Sequence, residues 1–204
     1  MNCCEMSLTA YARMNYLNSK ELNDIRNSVK LISIEEVDNI TNYIFDCDIQ
    51  EYNDFLYEAK EYQKRNISKT FLLIHLKTNE LLGYMSLATD SIKVTNEEKE
   101  IHDISNVPFA SIPSLKVGKL AINNKLSKTA KRKGYGSFLL DMAKAFAFSL
   151  NDFGVACRFL TVDADIDYNM ETPIFYKKNG FLENSKYKRN KQRHVISMRK
   201  DIFG

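Results

Sequence analysis

The sequence predicts a mixed α/β domain built on a largely antiparallel sheet. Apolar runs of strand length alternate with amphipathic helical stretches, and hairpin-like strand pairs stand at both ends of that order. Hydrophobic residues at 44% and charged residues at 27% give the balance of an ordinary globular chain. With 204 residues and about 150 per domain, one domain over residues 1–204 is expected. Seven glycines and three prolines exclude collagen-like and linker-like architectures. No apolar run approaches the roughly 20 residues of a membrane span. The nearest candidate, residues 138–150, is interrupted by Asp141 and Lys144. The first residues carry neither a basic nor an apolar leader segment, so a cytoplasmic protein without a membrane partner is expected.

Residues 1–30 are polar and weakly patterned. Ser33 and Glu36 then stand at capping-box spacing, with Ile34, Val37, Ile40 and Ile44 following at helical intervals. A second helix is predicted after Asp48, with Tyr52, Phe55, Leu56, Ala59 and Tyr62 on one face. Residues 70–76 and 81–94 form a strand hairpin around a polar turn. Residues 95–114 lack periodicity, which marks a binding loop, a lid or disorder. A strand over 115–123 leads into a basic, glycine-containing segment. A helix follows from Ser137, its stripe made by Phe138, Leu139, Met142, Ala143, Phe146, Ala147 and Leu150 and closed by Gly154. A short strand over 158–163, an acidic turn (Asp163, Asp165, Asp167), a helix over 170–178 and a strand over 195–198 complete the order.

Composition narrows the chemistry. Cys3, Cys4, Cys47 and Cys157 form no CxxC pair and have no histidine at ligand spacing, so reduced thiols and no metal are expected. The net charge of +3 identifies no partner, but its distribution is uneven. One cluster is Lys131, Arg132 and Lys133, followed by Gly134, Tyr135, Gly136 and Ser137. Two glycines before a helix start expose backbone N–H groups beside a partial positive charge, which suits phosphate. A Walker loop requires a lysine after Gly136, where Ser137 stands, and a dinucleotide fingerprint requires a third glycine where Leu139 stands. A pyrophosphate loop of the R/Q-x-x-G-x-G/A type fits best.

Several motifs in the right order over residues 45–202 resemble the GNAT superfamily of acetyl-CoA-dependent N-acetyltransferases. Leu120, Ala121 and Ile122 resemble its pantetheine-pairing central strand. Residues 131–136 resemble its pyrophosphate loop, with Lys131 where Gln or Arg is usual. Asn169 and Tyr176, with the Gly180-Phe181 ending, resemble its N…FYxxxGF signature, and Gly83-Tyr84 its third-strand GY. The resemblance implies helices on both faces of the sheet, a sheet splayed at the cofactor site, and acetyl-CoA as co-substrate. Phe45-Asp46-Cys47 followed by Phe55-Leu56 and then Gly83-Tyr84-Met85-Ser86-Leu87 resembles the branch that includes toxins acetylating aminoacyl-tRNA.

Acetyl transfer needs a neutral amine, an oxyanion donor and a proton for the departing thiolate. The phenol of Tyr176, with an ordinary pKa near 10, suits the last task. The resemblance puts a backbone N–H near Ala121 or Ile122 in the second. No Asp or Glu lies on 115–123. Asp163 and Asp165 are candidate bases through water, or solvated turn carboxylates, whereas an α-amino acceptor with a pKa near 8 needs no dedicated base. His75, His102 and His194 are expected to be structural or solvated. The second basic cluster, Lys186, Lys188, Arg189, Lys191 and Arg193, is either a solvated loop or a grip on a phosphate backbone such as tRNA. The expected function is N-acetyl transfer from acetyl-CoA to a primary amine. Two alternatives stay open: an aminoacyl-tRNA-acetylating toxin with an antitoxin or homodimer partner, and a non-catalytic RNA- or protein-binding module.

Overall fold

A computed structural model describes residues 20–185 and 194–204. In chain order these form α1 (Lys20–Arg26), β1 (Val29–Ser33), two 3-10 turns (Ile34–Glu36 and Ile40–Asn42), α2 (Gln50–Lys64), β2 (Lys69–His75) and β3 (Leu81–Lys93). Then come α3 (Asn96–Ile101), β4 (Ser111–Ile122), α4 (Tyr135–Asp152), β5 (Phe159–Asp165), α5 (Thr172–Lys178), β6 (Leu182–Glu183) and β7 (Val195–Asp201). Among the described residues seven strands pair in the order β1-β2-β3-β4-β5-β7-β6. The expected mixed α/β class with a mostly antiparallel sheet is the observed one. No described helix is long and apolar enough to cross a membrane. The chain divides into two compact units, Met1–Ala88 with Gly118–Ala145, and Thr89–Val117 with Phe146–Gly204.

In the first unit, β1 and β2 pair antiparallel from Val29↔His75 to Ser33↔Phe71, and β2 pairs antiparallel with β3. The expected helix over 34–44 is instead two isolated turns. Ser33 and Glu36 do form the capping box, but it closes one turn only, because Val37 is already extended and Asn39 caps a second turn through Thr41 N–H. Five of these eleven residues are Val, Ile or Thr and three more are Asp or Asn, types whose stiff or backbone-competing side chains give little support to a longer helix. Its apolar spacing serves the core: Ile34, Val37 and Ile40 bury against Leu56, Ala59, Leu72 and Tyr84, whereas Ile44 is exposed. Each such side chain contributes about 1.5–3 kcal/mol. Helix α2 packs on β2, and the buried Gln63 amide fixes that contact. Its Oε1 accepts Thr70 N–H at 2.9 Å, and its Nε2 donates to Ser33 Oγ at 3.0 Å.

In the second unit, β4 runs parallel to β5 from Ser114↔Phe159 to Val117↔Val162, and β5 runs antiparallel to β7. The stretch expected to be an aperiodic loop holds a structured element. Thr95 and Glu98 make a capping box for α3, and Ile104 and Val107 pack on Ile92, Val94, Ile112 and Phe159. Glu98 also binds the buried Arg199 guanidinium at 2.7 Å and accepts Ser185 N–H at 2.8 Å. Arg199 further donates to Asn184 Oδ1 at 2.8 Å and to the Glu183 carbonyl at 3.1 Å. Burial works to raise the Glu98 carboxyl, but the backbone bonds from Ser185 and Thr95 and the charge of Arg199 hold it below its ordinary range.

His102 is structural. Its Nε2 accepts Arg199 Nε–H at 3.0 Å, which leaves Nδ1–H to donate to Asp201 Oδ2 at 3.2 Å. Arg158 donates to the same Asp201 oxygen at 2.6 Å. Burial, followed by the charge of Arg199, lowers the His102 pKa despite the opposing pull of Asp201. Between that lowered value and the unfolded value of about 6.5, the folded protein binds fewer protons than the unfolded chain. Stability contributed by neutral His102 is therefore complete above about pH 6.5 and is lost as the pH falls below it. Urea unfolding midpoints should drop on acidification through this window, and His102→Gln should flatten the drop. A parent and variant with the same pH dependence would contradict the assignment.

Candidate functional site

The first unit carries the strand end and the glycine loop. A methyl group at position 83 would lie 2.6 Å from the Ala121 carbonyl oxygen, so only glycine lets β3 approach the end of β4. There Asn123 N–H donates to the Leu82 carbonyl at 2.9 Å. The buried Asn123 amide donates to the Ile44 and Leu81 carbonyls, each at 2.8 Å, and accepts from the N–H groups of Asp46 and Lys125. Leu120 and Ile122 are half-buried and Ala121 is buried.

The chain then turns through Ser127, which places both its N–H and its hydroxyl on the Glu80 carboxylate, at 2.8 and 2.6 Å. These bonds, the side-chain one foremost, hold Glu80 below the ordinary carboxylate range. Ser127 in turn accepts the N–H groups of Ala130 and Lys131 through its carbonyl. The buried Tyr135 donates its hydroxyl to the Ala130 carbonyl at 2.6 Å, pinning the two ends of the loop together. Between them Lys131, Arg132 and Lys133 are exposed, and Gly134 has φ +100, a conformation that strains any residue with a side chain. Gly136 and Ser137 fall in the first turn of the 18-residue α4, where backbone N–H groups lack helical partners and the helix dipole is positive. Exposed cations, a left-handed glycine and a helix start thus coincide on one anchored loop, the combination of features that suits an anion.

Beside that strand end lies a groove of about 530 Å³, lined by α2 residues (Glu51, Asp54, Phe55, Glu58 and Tyr62), by Ser86 and Ala88 of β3, and by Gly118 and Lys119 of β4. Lys119 pairs with Glu51 and sits 4.2 Å from the centre of the Tyr52 ring. Sequence reasoning placed Phe55 and Tyr62 on one face of α2 with Leu56 and Ala59 and did not find this groove. Its lining, which also includes Ile67 and Ser68, comes from four separate stretches, and no local motif joins them.

The second unit carries Asn169 and Tyr176. Asn169 caps the turn before α5: its Oδ1 accepts Glu171 N–H at 2.8 Å, and its carbonyl accepts the Thr172 N–H and hydroxyl. Tyr176 is buried in α5 with its ring edge-on to Phe175 and Phe181, at 5.1 and 5.4 Å between centroids. Gly180 closes that helix at φ +82. Of the candidate bases, Asp163 binds Lys116 at 2.5 Å and Asp165 accepts Asp167 N–H at 3.0 Å. His194 lies 2.6 Å from Asp167, both exposed, and His75 bonds Thr78 in the hairpin turn. Among the described residues no group of His, Cys, Asp or Glu is arranged to hold a metal. Lys186, Lys188, Arg189, Lys191 and Arg193 lie outside the described residues.

No family model matches the sequence, and no curated protein does. Solved structures do match. A mutant of KacT superposes with a TM-score of 0.61 at 21% identity, covering 83% of this chain and 94% of that one. AtaT complexed with acetyl-methionyl-tRNAfMet gives 0.61 at 20%, covering 83% and 93%. An AtaT mutant toxin bound to the C-terminus of the antitoxin AtaR and acetyl-CoA gives 0.59 at 19%, covering 84% and 93%. The chain therefore has the fold of these proteins, the GNAT fold that its motifs led one to expect.

The close approach at Gly83 is directly testable. Gly83→Ala should cost about 1–3 kcal/mol in urea unfolding, because the added methyl meets the Ala121 backbone oxygen at 2.6 Å as well as Ile122 Cδ1 at 2.7 Å, and the backbone atom cannot swing aside. An unchanged midpoint would mean that the strands have slack at this point.

Proposed function

We propose that the chain is an N-acetyltransferase that moves the acetyl group of acetyl-CoA onto the α-amino group of an aminoacyl-tRNA, by direct attack in a ternary complex. The observation that carries this reading is the anchored basic loop opening α4, in a fold shared with structures that hold acetyl-CoA and an acetylated aminoacyl-tRNA. The narrower acceptor is preferred over an unspecified amine on the strength of that shared fold. An antitoxin protein is the partner class that the reading implies.

In this reading Lys131, Arg132, Lys133 and the N–H groups from Gly134 to Ser137 bind the pyrophosphate. The backbone of Leu120, Ala121 and Ile122 pairs with the pantetheine arm, and Asn169 is a further cofactor-binding residue. Acetyl-CoA supplies the acyl group already activated as a thioester. An N–H at Ala121 or Ile122 serves as the oxyanion donor. In the balance of the reaction a carbon–nitrogen bond replaces a carbon–sulfur bond. The amine gives up one proton to solvent, and Tyr176 donates its phenolic proton to the departing thiolate, later recovering one from water.

Mass spectrometry should find a CoA species co-purifying with the protein, and purified protein should consume thioester when given charged tRNA. No consumption with any charged tRNA would defeat the aminoacyl reading, and none with any amine would leave a binding module. Gly136→Glu puts a bulky anion in the cradle, so calorimetry should show acetyl-CoA binding lost while unfolding stays cooperative. Binding at the parent affinity would remove the loop from the cofactor site. Tyr176→Phe keeps the ring, so turnover should fall by about 10²-fold with acetyl-CoA affinity little changed. An unaltered rate with a working acceptor would return Tyr176 to the core.

A further inference from the structure

Two glycines of the first unit ask for different explanations. Gly83 is required by packing, since a side chain there meets the Ala121 carbonyl. Gly118 is not: a methyl group at 118 would make only an ordinary 3.8 Å contact with the Ser86 carbonyl, and its φ is not in the left-handed region. Glycine inside a strand sacrifices side-chain packing and backbone order, and it often marks a place where a ligand comes close. Position 118 is exposed and forms part of the groove floor beside Ser86 and Ala88, which are also small. The floor stays low where α2 raises a wall of Phe55 and Tyr62.

The groove's charge is equally one-sided. Lys119, its lining cation, is engaged by Glu51. Asp54 and Glu58 accept instead from neutral donors, the Gln50 amide and the Tyr62 hydroxyl, each at 2.7 Å. A phosphate is repelled here, whereas an ammonium group on an apolar body is attracted. At about 3.3 Å per residue, Gly118 and Lys119 lie roughly 7–10 Å along β4 from Ala121, the length of an amino acid from its amino group to the tip of its side chain.

We propose that this groove holds the aminoacyl group of the acceptor, accepting apolar and basic side chains and rejecting aspartyl and glutamyl groups. The inference rests on the aminoacyl-tRNA reading given above. Its test is a panel of tRNAs charged with methionine, phenylalanine, lysine, aspartate or glutamate, each offered with acetyl-CoA to the parent protein. Transfer to the first three should exceed transfer to the acidic pair by about tenfold or more. Comparable rates on all five overturn the groove assignment while leaving the acetyltransferase reading intact. No transfer to any of them overturns the groove assignment, and thioester consumption with the remaining charged tRNAs and with simple amines then decides the acetyltransferase reading separately. Gly118→Leu should lower kcat/KM for the favoured acceptors by about tenfold, with calorimetric acetyl-CoA affinity within about twofold of the parent. An unchanged kcat/KM overturns the proposal. The pair Asp54→Lys and Glu58→Lys alters exposed side chains only, so folding is not at issue, and it should raise the rate on aspartyl-tRNA relative to lysyl-tRNA. An unmoved ratio overturns the proposal independently of Gly118.

Discussion

A side chain at position 83 and the carbonyl of Ala121 compete for the same space, so the first unit is built around a backbone-to-backbone approach that only glycine permits. The features that follow inherit their positions from it. The approach brings Asn123 within reach of the Leu82 carbonyl and lets its amide collect the Leu81 and Ile44 carbonyls and the Asp46 N–H. A buried amide with all of its capacity taken is hard to displace, since a lost partner leaves another polar group unsatisfied. From that fixed point the chain leaves toward Ser127, Glu80 anchors it, and Tyr135 closes the loop back onto Ala130. The glycine loop is thus held by hydrogen bonds at both ends, while its three cations remain in water. Rigid anchoring of a charged loop is what lets it meet an anion without first losing the entropy of an unstructured one.

The second unit is organised by a different constraint, the burial of a guanidinium. Arg199 is fully buried in β7 and is supported by Glu98, His102, Asn184 and the Glu183 carbonyl. A buried cation is tolerated only when its donors are matched, and removing one partner of such a pair costs about 3–5 kcal/mol. Two of those partners, Glu98 and His102, come from residues that look irregular in the sequence. Beyond the capping-box spacing of Thr95 and Glu98, the local pattern of 95–110 does not announce a structured element, because much of its order comes from a charge on a strand about 100 residues away. The capping box at Thr95 and Glu98 was readable in principle, but Glu98 does double duty that no spacing rule reveals.

Legibility follows the range of the interaction. The hairpin of β2 and β3, the helix α4 and the loop before it all rest on short-range signals: alternation, helical periodicity and glycine placement. Each was read correctly to within a few residues. The stretch 34–44 misled because its apolar spacing satisfied two readings, and the core rather than a helix was the reason for it. Tyr176 and Asn169 were legible as a motif, and the structure adds that both have local partners, in ring packing and in a turn cap. The groove was not legible at all. Gly118, Asp54 and Glu58 are unremarkable in their own neighbourhoods, and their relation exists only once α2 lies against the sheet.

The absence of a carboxylate on residues 115–123 bears on the acceptor. On the proposed reading the amine must lose a proton before it attacks. A lysine side chain, with a pKa of about 10.4, lies roughly 3.4 units above neutral pH, a deprotonation cost of about 4.6 kcal/mol. An α-amino group near 8 costs only about 1.4 kcal/mol, which solvent accepts without a dedicated base. The groove carboxylates bear on a different part of the acceptor. On the proposed reading Asp54 and Glu58 face its side chain, and its α-amino group lies roughly 7–10 Å further along β4, at Ala121. Both carboxylates are exposed, and an exposed pair is worth under about 1 kcal/mol even in direct contact, so at that distance they add little to the cost of deprotonating the α-amino group. Side-chain selection and amine activation are thus separated along the strand, and the first does not work against the second.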